Sequence, residues 1–160
     1  MKEHEFDSRI STYILRLEKL DAGERARLKR CVGQTLAEAR HGTLGLFYSV
    51  LPFDVPAFQH DIYFLVASLY PMTEGNKSGD LGASLHQMRN SKNTRGVDRR
   101  MEILLDADEA QLPYRLRQAI HMLQANRVGV NWPQLLEDLL YWTHPSRLVQ
   151  RRWAQSYFAI

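Results

Sequence analysis

The chain has 160 residues, 44% of them hydrophobic, and a net charge of +3, which supports one domain with a substantial core, since a chain of this size buries roughly two-thirds of its unfolded surface. Its lone cysteine, Cys31, excludes an intrachain disulfide framework and a cysteine-built zinc cage, as expected for a reducing cytoplasm. Charged residues Lys2, Glu3, Glu5 and Asp7 stand where a secretory signal needs an apolar run, and the longest apolar stretch, around residues 62–70, is too short to span a bilayer, so the chain reads as soluble, without a membrane partner.

In chain order, Phe6, Ile10, Tyr13, Ile14, Leu17 and Leu20 recur at spacings of three and four, the apolar stripe of an amphipathic first helix. Asp21 with Glu24 three residues later has the form of a capping box and starts a second helix that runs to about Val32, before Gly33. That helix displays Arg25, Arg27, Lys29 and Arg30. Leu44, Leu46, Phe47, Val50 and Leu51 form a short apolar helix stopped by Pro52, and Pro56 opens the next, which Phe58, Ile62, Leu65, Val66 and Leu69 carry to Pro71. Residues 71–80 read as an exposed loop and residues 90–96 as a second, polar and basic one. Helices follow at 97–105, about 113–124, 132–142 with Asn131 as N-cap, and 147–157 with Ser146 as N-cap. No segment alternates like a strand between hairpin turns, so the expected fold class is all-α.

Charge is distributed unevenly along this scaffold. Arg89, Lys92, Arg95, Arg99 and Arg100 face a single acid, Asp98, which points to a polyanionic partner. Arg25, Arg27, Lys29 and Arg30 form a second basic set, and Arg147, Arg151 and Arg152 a third. Packed onto one face, they would make a phosphate track that holds a strand without reading its sequence. The alternative pairs individual arginines with Glu24, Glu38, Asp98 and Glu102 on a solvated surface.

Trp132, Trp142, Trp153, Tyr141 and Tyr157 could stack on unpaired bases. Trp132 shares helical spacing with Leu135, Leu136, Leu139 and Leu140, however, which assigns most of these aromatics to the core. Tyr114, between Pro113 and Arg115, is the better candidate for an exposed ring. Asp98, Glu102 and Asp106 lie at four-residue intervals, but over two turns they converge poorly on one metal ion and have arginines close by. His60 beside Asp61, and His41, His86, His121 and His144, show no ligand spacing, and Cys31 reads as a packing thiol. The glycines at 42, 45, 75 and 79 fit no phosphate-loop pattern. The sequence thus implies no cofactor, metal site or catalytic residue.

Gly79-Asp80-Leu81-Gly82-Ala83-Ser84-Leu85, the basic stretch after it, and Leu112-Pro113-Tyr114-Arg115-Leu116-Arg117 resemble the small subunit of the type I-E CRISPR surveillance complex Cascade, the CasB family. The stretch from Leu20 to Arg30, Val130-Asn131-Trp132-Pro133 with Leu139-Leu140-Tyr141-Trp142, and Arg151-Arg152-Trp153-Ala154 extend the similarity over about residues 14–158. The resemblance implies two small packed helical bundles, with lobes meeting near residue 95. It also implies a non-enzymatic subunit of antiviral defence in the prokaryotic cytoplasm, which contacts guide RNA and the target DNA strands of an R-loop. Its protein partners would be the backbone and large subunits and a second copy of itself. Arg25, Arg27, Arg30, Arg99, Arg100, Arg151 and Arg152 fall at basic motif positions, and Arg89, Arg95, Arg115, Arg117 and Arg147 complete the expected nucleic-acid-binding set. Rival readings are a scaffold whose basic face binds acidic protein surfaces, a small nuclease built on Asp98, Glu102 and Asp106, and a helix-turn-helix repressor.

Overall fold

The apolar stripe from Phe6 to Leu20 forms α1, Ser8–Glu18, which buries Ile10, Tyr13, Ile14 and Leu17. Asp7 caps it by accepting the amide of Arg9 at 2.8 Å. The computed structural model describes residues 5–40, 42–75, 78–90 and 94–159. The expectations resting on Met1 to His4, His41, Asn76, Lys77, Lys92 and Asn93 lie outside the described residues.

α2, Ala22–Lys29, opens with the reciprocal capping box of Asp21 and Glu24, whose two bonds are 2.8 and 3.0 Å long. It ends before Val32, because the amides of Cys31 and Val32 reach back only three residues and Gly33 takes a φ of +91°. α3, Thr43–Val50, stops ahead of Pro52, and α4, His60–Leu69, is seven residues deep in buried side chains. Phe58 departs from the expected core stripe: it lies in a short 3-10 turn, Ala57–Gln59, ahead of α4, and is 83% exposed. Three-residue periodicity there turns its ring away from the face that Ile62 and Val66 share.

The segment at 71–80 is more constrained than an exposed loop. Val130 donates its amide to the Glu74 carbonyl at 3.0 Å, and the Thr73 hydroxyl donates to the Val128 carbonyl at 2.9 Å. α5, Leu81–His86, follows, capped by Asp80. The basic loop expected at 90–96 is shorter than predicted, because α6, Thr94–Leu105, begins a turn early and takes Arg95 into its first turn. Gly96 and the surrounding charge read as loop in the sequence, but the buried stripe of Val97, Met101 and Leu104 carries the helix through them.

α7, Leu112–Ala125, starts with Pro113 in its first turn, and α8, Trp132–Leu140, is capped as expected by Asn131, which accepts the Gln134 amide at 3.2 Å. α9, Leu148–Phe158, is not capped by Ser146, whose hydroxyl meets His144 Nδ1 instead. Arg147 occupies the cap position with a φ of +52°. Among the described residues the fold is therefore nine α-helices with short 3-10 turns and no strand, an all-α protein. None of these helices is long and apolar enough to cross a membrane.

The buried side chains form one cluster, from Ile10 in α1 to Tyr157 in α9. α1 and α4 pack against α8, α6 lies beside α7, and α5 runs along α9, so segments on either side of residue 95 share this core. The α5–α9 contact is the tightest. A Cβ added at Gly82 would stand 2.2 Å from the Trp153 carbonyl oxygen and 2.9 Å from its Cα. Backbone atoms cannot rotate aside as a side-chain end can. Gly82→Ala is accordingly expected to cost about 3 kcal/mol or more by forcing the two helices apart, measured as a lower urea midpoint with a two-state transition.

Candidate nucleic-acid interface

Each predicted arginine has its environment set by the helix that carries it. On α6, Val97, Met101 and Leu104 face the core, so helical periodicity puts Arg95 and Arg99 on the opposite, exposed side and Arg100 on the flank nearest α7. On α7 the buried stripe of Leu112, Leu116, Ala119, Ile120 and Leu123 leaves Arg115, Gln118 and Met122 on the flank that meets α6. The result is a cleft of about 320 Å³ between the two helices, with Arg99, Arg100 and Arg115 among its walls and Val97, Met101 and Leu104 in its floor. Arg100 Nη1 lies 3.4 Å from Met122 Sδ. The Arg115 guanidinium sits 5.2 Å from the centre of the Tyr114 ring and donates to Gln118 Oε1 at 3.4 Å. No carboxylate among the described residues pairs with Arg99, Arg100 or Arg115.

Arg117 leaves α7 on the other side. Its Nη1 lies against Gly33, 3.6 Å from where a Cβ would stand, and so joins the end of α2 rather than the cleft. Arg27 and Arg30 are exposed there on one outer face of α2, away from buried Leu28. Arg25 turns inward, donating to the Glu18 carbonyl at 2.7 Å and lying 5.9 Å from the centre of the Tyr70 ring.

Besides Arg25, three of the predicted arginines are engaged within the fold. Arg89 pairs with Asp98 at 3.3 Å and stacks over Tyr157 and Phe158, while the Tyr157 hydroxyl donates to the same carboxylate at 2.6 Å. Arg147 donates to the Leu105 carbonyl and stands 3.9 Å from Asp106. Arg152 bridges two buried acids, meeting Asp138 through Nη2 and Asp80 through Nε at 3.8 Å. Arg151, on the opposite side of α9, is exposed.

Asp98, Glu102 and Asp106 thus do not converge: Asp98 turns to Arg89 and Tyr157, and Asp106 to Arg147. Among the described residues no group of three or more His, Cys, Asp or Glu side chains could hold a metal ion. His60 donates to the Val55 carbonyl at 2.9 Å, and Cys31 is buried with its thiol toward the Arg27 carbonyl and Thr43. Trp132, Trp142, Trp153 and Tyr157 are buried, as their spacing predicts, whereas Tyr114 and Tyr141 are exposed.

No local sequence pattern gives a role to Asp138 or Asp80, the acids that hold Arg152. Asp138 accepts the indole N–H of Trp153 at 2.7 Å and the amide of Gln134 at 2.9 Å. Asp80 caps α5 and accepts the Ser156 hydroxyl at 2.9 Å. Burial raises the Asp138 carboxyl above the usual carboxylate range, and the bonds from Trp153, Arg152 and Gln134 only partly oppose it. The available signal was an acid on the apolar stripe of α8, one residue from Leu139 and three from Leu135.

Comparison with known proteins adds a family. The family described as CRISPR-associated protein Cse2 matches residues 24–158. A CRISPR-associated protein Cse2 of Thermus thermophilus is 33% identical over 100 residues, which is 62% of this chain and 57% of that protein. The solved structure of a Cse2-family CRISPR-associated protein from Thermus thermophilus superposes with a TM-score of 0.80 at 27% identity, covering 95% of this chain and 97% of its own. A chain of a CRISPR RNA-guided surveillance complex shares the fold, with a TM-score of 0.76 at 24% identity over 93% of this chain and 91% of its own.

The Arg152 bridge yields a test that separates structural arginines from exposed ones. Arg152→Ala leaves two buried carboxylates without their cation and is expected to cost about 2–3 kcal/mol, less than a fully buried pair because the arginine is 38% exposed. Arg99→Ala leaves the unfolding midpoint unchanged. The folded-state pKa of Asp138 lies above its unfolded value, so protonation favours the fold, and losing Arg152 raises that pKa further. Urea titrations should therefore show a smaller Arg152→Ala penalty near pH 4 than at pH 7.

Proposed function

We propose that this chain, which belongs to the CRISPR-associated Cse2 family, is a non-catalytic nucleic-acid-binding subunit of a Cascade surveillance complex of type I-E in the prokaryotic cytoplasm. The observation that carries this reading is the placing of Arg99, Arg100 and Arg115 along one cleft, where no carboxylate among the described residues pairs with them. Guanidinium groups that line one cleft repel one another, and an anion seated among them relieves that repulsion. A strand of guide RNA or target DNA supplies phosphates at that density, and arginine meets each with two parallel hydrogen bonds. The shared fold of a chain in an RNA-guided surveillance complex supports the setting.

In that setting the subunit works by electrostatics. Base pairing with the guide reads the target sequence, and exchanging a DNA duplex for an RNA–DNA heteroduplex is close to balanced. Phosphate contacts tip it toward the opened state. Arg95, Arg99, Arg100 and Arg115 form the central contact, with Arg27, Arg30 and Arg117 at the end of α2 and Arg151 on α9 as further steps along the strand. Arg25, Arg89, Arg147 and Arg152 act mainly by shaping the surface that carries the others. The turning of Asp98 to Arg89 and of Asp106 to Arg147 supports a binding rather than a nuclease role.

A separate observation favours a protein-docking role beside this one. Phe53 and Phe58 project from the turn between α3 and α4 with 105% and 83% of their surface exposed. The turn is held rigid, since Arg9 donates to the Asp54 carbonyl and His60 to that of Val55. Exposed aromatic anchors on a fixed backbone are the usual hot spots of protein interfaces. The backbone and large subunits of the complex, or a second copy of this chain, are the partners this turn would meet.

Two measurements test the two roles. In a salt series with labelled single-stranded DNA, the Arg99→Ala, Arg100→Ala double variant should bind more weakly than wild type, with a log–log salt slope shallower by about 1.4; an unchanged slope would transfer the basic face to the scaffold reading. On co-expression with the other complex subunits, Phe53→Ser, Phe58→Ser should reduce incorporation of this chain while its affinity for DNA stays at the wild-type value.

A further inference from the structure

We infer that the α6–α7 cleft receives one unstacked base of the bound strand, with the three arginines holding the phosphates on either side of it. The inference rests on the nucleic-acid reading above and goes beyond it, because a phosphate track requires only guanidinium groups on an open surface. Here they surround a recess of about 320 Å³. The recess has an apolar floor of Val97, Met101 and Leu104, with Ile103 on one wall and Met122 on the other. An apolar hollow facing water is unfavourable when empty, and the ligand that suits it must be both flat and apolar in the middle and anionic at its edges. A nucleotide has that distribution.

The walls are also set in advance. Arg115 is fixed by Tyr114 and Gln118, which are themselves joined, Gln118 Nε2 donating to the Tyr114 hydroxyl at 3.1 Å. Arg100 lies along Met122 from the opposite helix. A base entering between these groups meets a guanidinium plane or a thioether on its faces and the Gln118 amide at its edge. Guanidinium planes and side-chain amides are the groups that proteins use on splayed single-strand bases. Selection is for an unpaired base of any identity, since one amide and one guanidinium fork suit several base edges.

The test compares a fluorescein-labelled oligothymidylate with a strand of the same length in which abasic tetrahydrofuran residues replace the nucleosides, so that the phosphate count is equal. The full-length wild-type chain should bind the abasic strand at least about fivefold more weakly, with the same salt slope for both. Ile103→Asn, a change on the wall of the cleft, should shrink this difference while leaving the slope unchanged. Equal affinity for the two strands would overturn base capture and leave the phosphate track standing. Binding of neither strand at low salt would overturn both readings. Equal affinity together with failure of Ile103→Asn to join the complex would assign the cleft to a protein side chain, and would equally overturn this inference.

Discussion

Where α5 passes α9 at Gly82 there is no side chain between the two backbones, and that contact sets the spacing of everything around it. It brings the N-terminus of α5, with Asp80, beside the middle of α9, with Arg152 and Ser156, and leaves α8 to supply Asp138 from below. Two carboxylates in the interior would be unfavourable alone. Within this arrangement Arg152, the Trp153 indole, the Gln134 amide and the Ser156 hydroxyl meet them. A glycine too small to hold helices apart and a buried polar cluster that needs them close are two expressions of one geometry.

This geometry divides the arginines by task. Arg89 and Arg152 lie on inner flanks of their segments, where carboxylates and aromatic rings absorb their charge. Arg27, Arg30, Arg95 and Arg151 lie on outer faces, and Arg99, Arg100 and Arg115 on the edges of a cleft. Sequence neighbours separate as a result: Arg151 and Arg152 point to different sides of α9, and Arg115 and Arg117 to different sides of α7. A basic run therefore states how much positive charge a segment carries, while the helical period decides how much of it reaches a ligand.

Much of the fold was legible in the sequence because it was written in local signals. The Asp21–Glu24 box, the Asn131 cap and the stripes of α1 and α8 each depend on residues within a turn or two of one another. The departures came where distant contacts outweighed such signals. Thr94 and Gly96 look like loop, yet the core needs Val97 on a helix already under way. Ser146 looks like a cap, yet His144 takes its hydroxyl. Phe58 keeps the spacing of a core residue while a 3-10 turn alters the period. The candidate site was half legible: the basic segment was visible, but the cleft that gives it a shape joins α6 to α7, whose lining residues Arg100 and Met122 are far apart in the chain.

Cys31 has a consequence of a different kind. It is the single thiol of the chain and is 5% exposed, enclosed by the end of α2 and the start of α3. A thiol-reactive dye can reach it only when those two helices separate, so its labelling rate counts openings of this corner. The corner also carries Arg27 and Arg30. Without any engineered label, alkylation kinetics would report whether a ligand seated on α2 holds it shut, which makes this buried atom a clock for the motions of the surface above it.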